Sequence, residues 1–219
     1  MKPNSIWKAA ALALAWQAAS PALAATVWDN GAPATVVTGG SVMTDTIQAE
    51  DFTLLTTTDL TGITFWDLQG VTGDYLGSIN YQIYAGSPGG TLVASGSATP
   101  TRTAAGTVLG YSQFQNDFAV SITGLVAGTY WLALHDGPVA STSFADFYWS
   151  WADLNATNAP TTRGLELGLA PLATSWTTNE QEHAFLITGV SSVPELTPAA
   201  MLGLGLGAVF LAQRRRRQA

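Results

Sequence analysis

The chain has 219 residues and no cysteine, which excludes disulfide cross-links, thiol nucleophiles and cysteine-ligated metal. Its fold must therefore rest on core burial, with a bound cation as the one other kind of staple. Lysine is nearly absent too: Lys2 and Lys8 are the two copies. Four of the eight basic residues stand in a row at positions 214–217. Between residues 25 and 192 two basic residues, Arg102 and Arg163, face fourteen acidic ones, a net charge of about −12 against −7 for the whole chain. Such a body repels nucleic acid and anionic polymers, which excludes a DNA- or RNA-binding role, and it favours cations and neutral sugars. There is no Gly-x-Ser-x-Gly and no His-Glu-x-x-His. The two histidines, His135 and His183, sit at a strand end and a strand start, where a histidine is more often structural than catalytic.

What is present is sorted to the two ends. The first residues, MKPNSIWKAAALALAWQAASPALAATV, carry Lys2 and Lys8, then an apolar stretch over residues 9–19 broken only by Gln17, then Ala22-Leu23-Ala24. Positive, apolar and small-residue regions in that order predict a secretory signal peptide over residues 1–24, cut after Ala24. The far end reads VPELTPAAMLGLGLGAVFLAQRRRRQA. Residues 196–213 are almost wholly apolar, with Thr197 and Pro198 near the start. As a transmembrane helix they would span about 27 Å, slightly under a hydrocarbon core of about 30 Å. Gly203, Gly205 and Gly207 would weaken a helix in water but are tolerated in lipid, where an unmade backbone hydrogen bond costs more. Gly203 and Gly207 also form a small-xxx-small pair of the kind that lets helices associate. Arg214, Arg215, Arg216 and Arg217 then act as a stop-transfer cluster that stays cytoplasmic and leaves the body outside the inner membrane. A nucleic-acid patch or a solvated basic tail fits less well, because the run abuts an apolar segment in an acidic chain.

Val193-Pro194-Glu195, the Leu/Gly/Ala-rich span and the terminal arginines together resemble the PEP-CTERM sorting signal. Leu196 stands where that family's motif usually has proline, with Pro198 two positions on. The resemblance covers residues 193–219. It implies export by an exopolysaccharide-producing Gram-negative bacterium and transient anchoring in the inner membrane. Processing by an exosortase, a membrane-embedded cysteine-type transpeptidase-like enzyme, would then move the protein to the cell surface or the extracellular biofilm matrix. For the domain in front it implies nothing beyond a small β-rich ectodomain.

Three segments follow: a leader at 1–24, one ectodomain at 25–190 and a sorting tail at 191–219. The ectodomain is long enough for one sizeable core. Glycine, threonine and serine punctuate short alternating runs throughout it. The clearest is Ser78-Ile79-Asn80-Tyr81-Gln82-Ile83-Tyr84, which the turn Ser87-Pro88-Gly89-Gly90 joins to Thr91-Leu92-Val93-Ala94-Ser95 as a hairpin. Further strands are expected at 52–55, 63–66, 118–122, 129–135, 144–151 and 184–188. No segment of the body keeps a helical period, so the expectation is all-β: an antiparallel β-sandwich or jelly roll.

Alternation also assigns faces. In the run from Thr129 to His135, Tyr130, Leu132 and Leu134 fall on one side and turn Trp131 and His135 to the other. The same logic turns Trp66 and Tyr84 away from their apolar neighbours. If these strands adjoin, Trp66, Tyr84 and Trp131 form a platform for sugar rings; if another segment covers them, they are a satellite core. The aromatic run at 146–153 puts Phe147, Trp149 and Trp151 on one face, as core. The glycine-containing loop from Asp67 to Asp74 has a carboxylate at each end, and Glu50-Asp51 opens a strand. Such loops supply the oxygens calcium needs, with Asp67 and Asp74 as candidate ligands and a solvated turn as the plainer alternative. The function expected is therefore a structural or adhesive surface protein. A carbohydrate-binding module, calcium-assisted or not, is the alternative, and a secreted hydrolase the second alternative.

Overall fold

The computed structural model describes residues 23–35, 38–141, 143–153, 164–168 and 175–192. The leader up to residue 22, Arg163, the sorting motif at 193–196, the apolar span at 196–213 and the arginines at 214–217 lie outside them. The described residues form thirteen strands and no helix. In chain order these are β1 (Ala25–Asp29), β2 (Gly40–Val42), β3 (Thr46–Leu54), β4 (Thr58–Gln69), β5 (Ile79–Ala85), β6 (Thr91–Ala98) and β7 (Thr101–Val108). They continue as β8 (Tyr111–Leu125), β9 (Gly128–Asp136), β10 (Phe147–Ser150), β11 (Leu165–Gly168), β12 (Thr177–Thr178) and β13 (Phe185–Ser191).

All pairings are antiparallel and fall into two sheets, one of seven strands and one of six. The spine of the seven-stranded sheet is β4. β8 pairs along one flank of it, from Thr58↔Leu125 to Gln69↔Ser112, and β7 pairs beyond β8. β13 and β10 share the other flank in tandem, β13 as far as Phe65 and β10 from Asp67. β1 lies outside β13 and β2 outside β10. The six-stranded sheet runs β12-β11-β3-β9-β5-β6.

The inner faces of both sheets meet in one core. Phe52, Leu54, Ile79, Ile83, Tyr130, Leu132 and Leu134 come from the six-stranded sheet. Leu60, Ile63, Phe65, Phe118, Phe147, Trp149, Phe185 and Ile187 come from the other. Each such side chain contributes roughly 1.5–3 kcal/mol when fully buried, which is how a body without disulfides holds together. Aromatic rings pack within each layer, Phe65 edge-on to Trp149 at 6.2 Å in one and Phe52 on Tyr130 at 5.6 Å in the other, and Tyr81 of β5 meets Phe118 of β8 across them at 5.7 Å.

The expected hairpin is β5–β6, and the face assignment in β9 holds: Tyr130, Leu132 and Leu134 are core. Phe147 and Trp149 are core as well. β3 begins six residues earlier than the expected 52–55, because Gln48 and Glu50 occupy inward positions where alternation alone would place apolar residues. Both faces of β3 are covered. Ile47 and Ala49 point away from the main core into a second, smaller cluster with Trp131 and Ala133, flanked by Leu165, Leu167 and Trp176.

The chain enters and leaves at the same end of the body: Ala25 pairs with Gly189, and Ser191 with Thr58. The β3–β4 turn at 55–57 and the β8–β9 turn at 126–127 lie at this end too. The β4–β5 loop at 70–78 and the β9–β10 loop from Gly137 lie at the other.

Candidate functional site

Two clusters of buried polar side chains interrupt the core, and neither is visible as a sequence motif. The first gathers on His183, which is 0% exposed and bridges to Trp151 just before β13. Its Nδ1 lies 2.8 Å from Glu50 Oε2 on β3, and its Nε2 lies 2.9 Å from Ser41 Oγ on β2. Ser41 Oγ also accepts the Trp151 indole hydrogen at 3.0 Å, and Asn179 Nδ2 faces Nε2 at 3.4 Å. The assigned tautomer, with the imidazole hydrogen on Nδ1 toward Glu50 and a bare Nε2 accepting from Ser41, satisfies all of these partners. Glu50 also accepts the His183 amide at 3.0 Å and the Asp51 amide at 3.3 Å.

Burial pushes the Glu50 carboxyl well above the usual range, and the charges of Glu182 and Asp51 push it further, while the two amides pull it back. Burial alone drives the His183 imidazole down to about 3. Trp149 stacks on that ring at 4.7 Å, and Gly164 closes over its edge, where an added Cβ would stand 2.7 Å from Cε1.

The order Ser41–His183–Glu50 is that of a serine nucleophile, its base and the base's orienting acid. The chemistry open to it is limited by its surroundings. The Ser41 hydroxyl is engaged on both sides, and an imidazole held near 3 is a weak base at neutral pH. What the chain of bonds does do is join β2, at the edge of one sheet, to β3 of the other through a residue preceding β13.

The second cluster lies toward the far end, around Arg102 of β7. Its Nη2 is 2.9 and 2.7 Å from the two oxygens of Asp67, its Nη1 donates to Gln69 Oε1 at 3.0 Å, and its Nε donates to Asn116 Oδ1 at 3.0 Å. Asn116 Nδ2 returns a bond of 2.6 Å to Asp67. The guanidinium lies over the rings of Phe114 at 4.2 Å and Tyr75 at 4.4 Å. Burial raises Asp67 to about 6, against the pull of Arg102 and Asn116. Nearby Asp136, also fully buried, accepts the Leu76 amide with both oxygens at 3.2 and 3.1 Å. Burial raises it to about 7, opposed by that amide and helped by the charge of Asp67.

The residues singled out from sequence fall as follows. Tyr84 and Trp131 are cross-strand neighbours on β5 and β9. Trp131 is 4% exposed, donates to Gly86 O at 3.2 Å and packs in the second cluster; Tyr84 meets Trp176 edge-on at 6.4 Å. Trp66 stands on β4, in the other sheet, so the platform of three rings does not assemble. Asp67 is committed to Arg102. Asp74 turns back on its own loop, where Oδ2 accepts the Val71 amide at 2.6 Å, so the two acids do not form a cation cage. Among the described residues no group of three or more histidine, aspartate or glutamate side chains is arranged to hold a metal ion. His135 is buried, with Nδ1 at 3.2 Å from Gly137 O.

Arg102 and Ser41 went unmarked in the sequence. For Arg102 a signal existed: one arginine on a strand of threonine, alanine and glycine, in a body with two basic residues. Ser41 had none. No family model matches the chain, and no curated protein matches it either.

Proposed function

We propose that this chain is an exported surface protein whose two-sheet body is a β-sandwich ectodomain with a structural or adhesive role. On this reading a leader at 1–24 directs export, and the tail at 191–219 holds the body at the inner membrane until an exosortase-type enzyme processes it. The cell surface or an exopolysaccharide matrix is the destination. The observation that carries the reading is the residue order of the tail, Val193-Pro194-Glu195-Leu196, then eighteen almost wholly apolar residues beginning with that Leu196, then four arginines. The body is consistent with such a role: its acidic surface favours solubility outside the cell, and its core needs no disulfide. The test is mass spectrometry of the native C-terminus in cells with and without the processing enzyme. Cleavage near Pro194-Glu195 that depends on the enzyme is expected. A C-terminus keeping all four arginines in both strains would reduce the tail to a plain anchor.

A hydrolase is the second reading, favoured by one observation, the hydrogen-bond order Ser41–His183–Glu50. A fluorophosphonate probe on the native chain separates the two. No label on Ser41 is expected if the triad is a structural tie. Stoichiometric labelling, lost in Ser41→Ala and in His183→Ala, would establish the hydrolase instead.

A further inference from the structure

The two ends of the body differ in charge, and residue 192 leaves the body at the end with a single carboxylate. Around the exit of Ser192, segments 25–27, 54–59, 122–129 and 189–192 carry a single ionisable side chain, Asp59, whose Oδ1 accepts the Gly124 amide at 2.7 Å. The neighbouring turn from Gly86 to Gly90 carries none. The far end holds Asp45, Asp74 and Asp146 near its surface, besides the buried Asp136 and the buried Asp67, whose charge Arg102 answers. Large apolar side chains stand in the open on the tail side: Leu55 is 88% exposed and Val126 62%. Beside Leu55 runs a groove of about 580 Å³ lined by Val27, Leu54, Leu55 and Gly189. Leu23 also lines it, and cutting the leader after Ala24 would remove that residue and put the Ala25 ammonium there. Val71, Leu76, Leu109 and Phe144 are exposed at the far end as well, but Asp45, Asp74 and Asp146 stand at that end, and an anionic lipid surface repels them.

Chain length fixes how near this end comes to the bilayer. Ser192 is tied to the β3–β4 turn, its amide and hydroxyl both bonding Thr57 O at 2.9 Å. On the anchor reading the membrane helix begins at Leu196. Four Cα steps then separate it from Ser192, a reach of at most about 14 Å. The headgroup layer itself takes up roughly 5–8 Å of that. A body tethered so closely must turn some surface to the headgroups, and the one beside the tether is apolar and almost uncharged.

We propose that, while the tail holds the chain, the 55–57 and 126–127 turns seat in the interfacial layer of the same bilayer, with Leu55 and Val126 inserted and the acidic end projecting away. This rests on the anchor reading above.

The absence of cysteine makes the test clean, since each introduced thiol is unique. Full-length chains carrying Leu55→Cys, Val126→Cys or Val71→Cys are labelled with an environment-sensitive fluorophore. They are reconstituted in phosphatidylethanolamine–phosphatidylglycerol vesicles and floated on a density gradient. The expected result is co-flotation of all three, with blue-shifted emission and quenching by a lipid-borne quencher at positions 55 and 126 but not at 71. Co-flotation with positions 55 and 126 as wet as 71, or with all three quenched alike, overturns the seating and leaves the anchor standing. Failure to float overturns the anchor, and the seating with it.

Discussion

Asp67 and Glu50 hold equivalent places on opposite sheets: each is a carboxylate on an inward position, fully buried, with a named nitrogen partner. Their partners differ in kind. Asp67 meets a permanent cation that is itself braced by Gln69, Asn116 and aromatic rings. Glu50 meets an imidazole that burial keeps neutral, in the field of two further acids. The first can stay ionised because its charge is answered; the second is answered only by dipoles, and burial favours its protonated form. A body with two basic residues has few cations to place, and one of them is spent inside.

Removing the cation should break this comparison most sharply. Arg102→Ala leaves Asp67 buried without its counter-charge, and urea unfolding at pH 7.5 should show a loss of about 3–5 kcal/mol. At pH 5 the loss should shrink, because the abandoned carboxyl can take up a proton instead. An equal loss at both pH values would mean that the guanidinium acts by packing rather than by charge. His183→Ala should cost less, about 1–3 kcal/mol, since it removes a neutral donor and opens space beside Trp149. A loss as large as that of Arg102→Ala would show the Glu50–His183 pair to be ionic after all.

The smallest effect is a slope. Asp51 and Asp67 are raised to about 6 and Asp136 to about 7, all by burial first, and Glu50 is raised too. A carboxyl whose folded value exceeds its unfolded one binds protons better when folded. Its stabilising contribution is full below about pH 4 and is lost as pH rises through 6 to 7. His183 and His135, both lowered, act in the opposite direction below about pH 6.5. Four carboxyls against two imidazoles leave a net gain on acidification, so thermal unfolding should occur a few degrees higher at pH 5 than at pH 7.5. Asp136→Asn should flatten that difference. A melting temperature that falls on going to pH 5 would refute the sign.

Much of the fold could be read in the sequence where one face is apolar and the other is not. The β5–β6 hairpin and the core face of β9 follow from alternation and a Ser-Pro-Gly-Gly turn. β7 carries no period because its threonines, alanines and glycine do not alternate in polarity, and the apolar alternation of β3 stops short of its start because Gln48 and Glu50 face inward. Alternation tells which way a side chain points but not which sheet its strand joins; hence Trp66 stands apart from Tyr84 and Trp131. Nor does it reveal what lies over a face: Trp131 is covered from the side of β11 and β12, short strands with too few residues to show a period. The Ser41–His183–Glu50 chain draws on residues as much as 142 positions apart, a distance at which local pattern carries nothing.

The entry and exit of the body at one end also bear on how it would respond to pulling. β13, the last strand before the exit, is laced on both sides, to β1 and to β4, over most of its seven residues. Tension between the exit and anything gripping the opposite end would run along that strand, so its lateral bonds would share the strain together rather than give way in succession. Such a shear geometry resists extraction far better than a peeling one.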